Sequence, residues 1–258
     1  MEPDRRFCGL AESYGQFRPD YPASALDWII AYGQLTPGSL LIDLGAGTGI
    51  ASRAFAARGF RVIGIEPNEE MRAQASCRPG ATAIDYRSGS AESTGLPSEI
   101  ADLVLAAQAF HWFNPGKALE EAYRILKDRG SIALMWNERD EEDPFTAAYG
   151  DVIRLFPGAK DIESQRQQAG YRLLEDTRFC EARRQELEHF QLASLEELIG
   201  RTFSASYAPR EPLMAKRARA DLRQLFATHE KDGCVVIRYR TSVYIARRSK
   251  LACPCGGW

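Results

Sequence analysis

Short apolar runs, separated by polar stretches of helical spacing, organise the first half of this chain. The runs at 40–44, 60–65, 82–86, 102–106 and 131–136 are too short for helices and read as buried strands. Between them, the stretches near 48–58, 68–76 and 115–127 read as helices. Two of these open on clear start signals: Asn68 before Glu69 and Glu70, and Asn114 before Pro115. Such alternation argues a parallel sheet covered on both faces. The segment 1–38 reads as irregular apart from a helix over 23–32. Beyond Asn137 the texture changes to charged helical pieces at 144–156 and 162–169. An imperfectly alternating run at 179–190 reads as an edge strand. Helices over 194–203 and 211–229 follow, the second with Ala218, Leu222 and Leu225 on one face, and a last strand spans 235–246.

The first apolar run ends in Asp43-Leu44-Gly45-Ala46-Gly47-Thr48-Gly49. A buried strand, a glycine loop and a helix in that order build a nucleotide crevice, because glycines admit a ligand close to the backbone. The second run ends on Glu66, placed to accept hydrogen bonds from both hydroxyls of an adenosine ribose. The dinucleotide fingerprint G-x-G-x-x-G fails here, because its third glycine falls on Ile50. A pyrophosphate would gain nothing from Asp43, whereas a ligand bearing an ammonium and a sulfonium would. No Gly-Lys-Ser/Thr ending follows the loop, which excludes a P-loop.

Composition narrows the picture a little. A net charge of −2 supplies no basic footprint for nucleic acid or an anionic membrane. No run of about 18 apolar residues reads as a membrane span, and the start lacks a signal-peptide core, so a cytoplasmic protein is expected. The six cysteines include no C-x-x-C pair, so no metal is expected; Cys253 and Cys255 read as part of a disordered, reducible tail.

With its acid-led glycine loop and Glu66, the chain resembles the class I S-adenosylmethionine-dependent methyltransferases. The stretch Gln108-Ala109-Phe110-His111-Trp112 after the fourth strand, and Tyr14-Gly15-Gln16-Phe17-Arg18-Pro19-Asp20-Tyr21-Pro22 before the sheet, resemble their small-molecule branch, which includes trans-aconitate methyltransferase. The resemblance spans about residues 11–248. It implies a Rossmann-like α/β fold: a seven-stranded, mostly parallel sheet with one antiparallel strand, helices on both faces and a small helical lid. As a single domain, 1–258 divides into an N-terminal cap segment (1–38), a cofactor-binding core (39–137), lid helices with the edge strand (138–230), the final strand (231–248) and a tail (249–258).

The resemblance also assigns residues. S-adenosylmethionine, and S-adenosylhomocysteine after transfer, would meet Tyr14, Arg18, Asp43, Gly45, Ala46, Gly47, Gly49, Glu66, Pro67 and Met71. Its adenine edge would meet the Ser90, Ala91 and Glu92 group, where the family's usual acid is replaced by Ser90, and Gln108 would complete the site. His111 and Arg18 would orient the acceptor, with Trp112, Trp136 and Tyr207 in its pocket. The imidazole can donate to a carboxylate or accept a hydroxyl proton. The expected reaction is methylation of a small molecule at oxygen, a carboxylate included; oligomeric state is silent in the sequence. A nicotinamide-dependent oxidoreductase, a nucleic-acid methyltransferase and a non-catalytic S-adenosylmethionine-binding protein are the alternatives. The nucleic-acid reading lacks both a basic surface and an Asn-Pro-Pro-Tyr loop after the fourth strand.

Overall fold

The computed structural model describes residue 9 and residues 11–250; Cys8 and the tail cysteines Cys253 and Cys255 lie outside the described residues. In chain order the elements are α1 (Ala11–Phe17), α2 (Ala23–Gly33), β1 (Leu40–Leu44), α3 (Ile50–Ala56), β2 (Arg61–Ile65), α4 (Glu69–Cys77), β3 (Ile84–Arg87), β4 (Ala101–Ala107), α5 (Pro115–Ile125) and β5 (Leu126–Arg139). There follow α6 (Pro144–Arg154), α7 (Ala159–Ala169), α8 (Tyr171–Leu174), β6 (Phe179–Ala193), α9 (Leu195–Phe203), α10 (Pro212–His229) and β7 (Val235–Arg248).

The seven strands form one sheet in the order β3-β2-β1-β4-β5-β7-β6. All run parallel except β7, which is antiparallel to both its neighbours β5 and β6. Register places Asp43 of β1 beside Leu105 of β4, at the point where strand order reverses. Ligands of open α/β sheets bind outside the strand ends there.

Alternation along the central strands divides the core in two. Leu41, Leu103 and Leu105 pack on one face with Leu26 and Ile29 of α2 and Phe55 of α3. Ile42, Val104 and Ala106 pack on the other with Leu119, Ala122 and Ile125 of α5. The expected cap residues do their work: Asn68 Oδ1 accepts from Met71 N and Asn114 Oδ1 from Lys117 N.

β6 and β7 far outrun the five-residue β1, and β7 pairs with β5 only from Tyr239 to Arg247. Residues 235–238 of β7 therefore overhang the sheet, paired with β6 alone. On that overhang sits a third core: Phe145 and Tyr149 of α6, Leu198 of α9 and Leu222 of α10, packed with Val235, Ile237 and Tyr239. This is the lid. Among the described residues no helix is long and apolar enough to cross a membrane, and no cluster of three metal-ligand side chains occurs.

The helix α1 departs from the irregular N-terminal segment expected. It is short and carries Gly15, so its local propensity is low. Packing supplies the stability: a Cβ on Gly200 of α9 would stand 2.5 Å from the Phe17 ring, so that ring seats directly on the α9 backbone.

Candidate active site

The turns following β1, β2, β3 and β4 surround a cavity of about 320 Å³ at the switch in strand order. Asp43, Gly45, Ala46, Gly47 and Thr48 line it from the first turn; Glu66, Pro67 and Met71 from the second. Ser90, Ala91 and Glu92 come from the third, and Gln108, Trp112 and Phe113 from the fourth. Tyr14 and Tyr21 close it from the N-terminal segment.

The glycine turn is folded back on β2: Gly45 N and Ala46 N both donate to Ile65 O, at 2.8 and 3.1 Å. Gly45 has a φ of +67°, and a Cβ there would lie 2.8 Å from that of Ala109, so only glycine lets the first and fourth turns meet. Gly49 departs from its expected role. It does not line the cavity, and a Cβ on it would strike the Tyr86 hydroxyl at 2.0 Å, so its absence of side chain serves packing instead.

Two carboxyls share the cavity. Asp43 is 1% exposed; its Oδ2 accepts from Ser52 Oγ at 2.6 Å, while Oδ1 has no partner. Burial, offset partly by the Ser52 bond and reinforced by the charge of Glu66, pushes its pKa up to about 7. Glu66 Oε2 accepts from Gly47 N and Oε1 from Asn68 N, each at 2.9 Å. Burial raises this carboxyl too, against those two bonds. Each Glu66 oxygen keeps a lone pair for a further donor. Thr48 Oγ1 is a second buried polar atom in the wall without a partner. Apolar Met71 and Ala91, 2% and 3% exposed, supply a flat wall beside Glu66. Such a cavity suits a ligand that is cationic at one end, a diol in the middle and an apolar ring at the other.

Gln108 holds a left-handed backbone with φ +57°, unusual for a side chain of this kind and typical of a functional turn. Its amide N donates to Met135 O, and its Nε2 to Asn137 O at 3.2 Å. Asn137 continues the chain: its Nδ2 donates to Asp20 O at 2.8 Å, and its Oδ1 accepts from Thr241. Asn137 thus ties the N-terminal segment to the cavity floor, and neither it nor Tyr21 was singled out from sequence. Glu92 Oε1 is already engaged by Asn114 N at 2.8 Å.

His111 lies on the single helical turn after β4, and its Nδ1 accepts from Trp136 Nε1 at 3.2 Å. An indole N–H only donates, so that ring nitrogen bears no proton, and the neutral imidazole carries its hydrogen on Nε2. Trp136 is 1% exposed within the core and does not line the cavity. It holds His111 from outside that wall. Trp112 lies in the wall of the cavity beneath the glycine turn.

His111, Arg18 and Tyr207 also fall outside that wall. The Arg18 guanidinium stacks 4.6 Å over the Tyr14 ring, on the far side of a residue that itself lines the cavity. Tyr207 stands beside Arg18, Arg139, Arg166 and Arg201, whose charges hold its pKa below the usual tyrosine value despite burial.

Comparison with known proteins supplies the family. Residues 42–134 match the methyltransferase domain family. Over 225 residues the chain is 31% identical to an uncharacterized methyltransferase of Mycobacterium tuberculosis, covering 86% of each protein. Over 141 residues it is 38% identical to an uncharacterized methyltransferase-like protein of Schizosaccharomyces pombe, 54% of each. Among solved structures, one described as a type II methyltransferase from Anaeromyxobacter dehalogenans superposes with TM-score 0.58 at 26% identity, over 90% of this chain and 97% of that one. The fold is shared with Haemonchus contortus phosphoethanolamine N-methyltransferase 2, solved in complex with S-adenosyl-L-methionine, at TM-score 0.55 and 17% identity over 94% of this chain and 57% of that one.

Proposed function

This chain belongs to the class I S-adenosylmethionine-dependent methyltransferases, and from that premise we propose that it methylates a small molecule at a carboxylate oxygen. The observation that carries the cofactor assignment is the buried Asp43 carboxyl, whose Oδ1 lacks a partner in a cavity shared with Glu66. Two buried acids close together repel each other, and a cationic ligand relieves both. Glu66 then holds the ribose diol, Met71 and Ala91 cover the adenine, and the Ser90 hydroxyl takes its edge in place of the already engaged Glu92.

When bound, S-adenosylmethionine supplies a methyl on a sulfonium: the C–S bond breaks as a C–O bond forms, and the sulfur keeps the electron pair. The protein's task is to align the two partners and exclude water, an effect worth several kcal/mol of barrier. His111 supports a carboxylate acceptor. Its Nδ1 is taken by Trp136, so that nitrogen is not available as a base. A carboxylate has no proton to remove and gains from a donor that orients it; a hydroxyl would need the base that is missing here.

Titration with S-adenosylhomocysteine by calorimetry tests the cofactor half, and labelled methyl transfer to a panel of carboxylic acids and alcohols tests the acceptor half. Absence of binding would defeat the first. Turnover with alcohols alone would defeat the second.

A further inference from the structure

Asn137, near the end of β5, is 3% exposed and meets three separate parts of the chain. Its Nδ2 donates to Asp20 O at 2.8 Å, its Oδ1 accepts from Thr241 Oγ1 at 2.7 Å, and its backbone O accepts from Gln108 Nε2 at 3.2 Å. Register fixes the Thr241 bond, because Thr241 of β7 lies directly opposite Asn137 in the antiparallel pair. A carbonyl oxygen only accepts, so the amide turns Nδ2 toward Asp20 and leaves Oδ1 for the fully buried Thr241 hydroxyl. Asparagine is the one short side chain with a donor and an acceptor on a single planar group. Aspartate lacks the donor, and glutamine is one carbon too long.

These bonds set two walls of the cofactor cavity at once. Gln108, whose backbone is left-handed, has its side chain held by Asn137 O. Asp20 lies in Pro19-Asp20-Tyr21-Pro22, where two proline rings restrict the backbone, so a pin at its carbonyl is passed on to the adjacent Tyr21. Tyr14 follows through Arg18, whose amide N donates to Tyr14 O at 3.2 Å and whose guanidinium stacks on the ring. Both tyrosines line the cavity. Further tethers hold the same stretch from the lid side. Gln191 Nε2 donates to Phe17 O at 3.1 Å, back in α1. The Asp20 carboxylate reaches His189 at 3.3 Å, but its side chain is 81% exposed, where such a pair contributes little.

Resting on the methyltransfer reading above, we propose that Asn137 is a positioning residue for the cofactor: its amide, oriented by Thr241, pins the Asp20 carbonyl and so seats Tyr14 and Tyr21 against bound S-adenosylmethionine. The three bonds are internal to the chain, so the pin holds before the cofactor arrives as well as after. A cofactor enclosed by both tyrosines enters and leaves only when the segment lifts, and the small lifted fraction slows both steps. Freeing the pin raises that fraction. Damage to the cavity itself would hasten departure but would not hasten entry.

The test is stopped-flow mixing of the full chain with S-adenosylhomocysteine, followed by tryptophan fluorescence, since Trp112 lines the cavity. Asn137→Asp sets a carboxylate oxygen against the Asp20 carbonyl. Thr241→Val keeps the shape and removes the hydroxyl that orients the amide. In both variants dissociation accelerates about tenfold or more, and association about threefold or more, as loss of one hydrogen bond from a closed state allows. Amide hydrogens of residues 14–21 exchange faster, while those of β1 and β4 keep their protection. Thr241→Ser, which retains the hydroxyl, leaves both rates within about twofold of the parent, as the conservative replacement should. Faster dissociation with association unchanged or slowed marks general damage and overturns the proposal, as do parent-like rates in Asn137→Asp and Thr241→Val. Either result leaves methyl transfer standing. A parent chain that binds no S-adenosylhomocysteine overturns both.

Discussion

Beneath the glycine turn the buried charges are carboxylates, Asp43 and Glu66; beneath the lid they are guanidinium groups, Arg18, Arg139, Arg166 and Arg201. The two regions are neighbours, separated by little more than the Tyr14 ring. In each, like charges lie together in a buried space. The difference teaches that one fold can bury opposite signs of charge side by side, acids at the sheet and guanidinium groups at the lid.

The contrast breaks most sharply at Asp43. Asp43→Asn keeps the shape and an acceptor for Ser52 but removes the anion, and S-adenosylmethionine affinity should fall about a hundredfold by calorimetry, the scale of a buried charge pair. The same change should raise the melting temperature of the free protein at pH 8, by roughly 1–3 kcal/mol of stability. The sign follows from the raised carboxyl. Its stabilising protonated form is complete below the usual carboxylate pKa and is lost as pH climbs through about 7, so the gap between variant and parent opens over that window.

His111→Ala should lower kcat about a hundredfold while S-adenosylhomocysteine affinity stays within threefold, as loss of a transition-state donor does. Glu66→Ala should do the reverse. Matched losses in both quantities would erase the division of labour. Trp136→Phe keeps an aromatic ring in the core but deletes the bond that fixes the imidazole, and kcat should drop by about tenfold, near the net worth of one hydrogen bond.

The pH dependence of cofactor affinity sharpens the comparison further. A cationic ligand favours ionised Asp43, so affinity should rise from pH 6 to 8 with release of a proton, visible as a buffer-dependent binding enthalpy. Asp43→Asn should flatten that slope.

The smallest effect concerns the cavity's support. Glu121 accepts from Thr94 N and Thr94 Oγ1 and pairs with Arg124, which holds its carboxyl down near 2. Glu121→Gln should cost about 1–3 kcal/mol in a denaturation curve at neutral pH. Because this pKa is depressed, the difference persists above the ordinary glutamate range and closes as pH falls toward 2.

The two regions also differ in how plainly the sequence announces them. Residues of the cofactor side sit in contiguous turns straight after strands, at 43–48, 66–71, 90–92 and 108–112, so strand periodicity locates them almost at once. Even there, Gly49 falls outside the cavity wall, because whether a turn residue meets a ligand or a neighbouring ring depends on tertiary packing. The lid side offers no such handle. Arg139, Arg166 and Arg201 lie far apart in helices and strand ends rich in charge, where an arginine normally faces water. One local clue existed: Arg201 stands between Leu198 and the buried Thr202 on the inward stripe of α9. Arg166, in Gln165-Arg166-Gln167-Gln168, gives none. The helix α1 escaped for a related reason, being stabilised by contact with α9 and not by its own residues.

The overhang of β6 and β7 has a bearing on ancestry. Because the lid has its own apolar interior, mounted on strand that reaches past the sheet, mutations accumulating there leave the nucleoside cradle undisturbed. That part of the chain can therefore be rewritten like a single detachable storey of a building, while the ground floor is left intact.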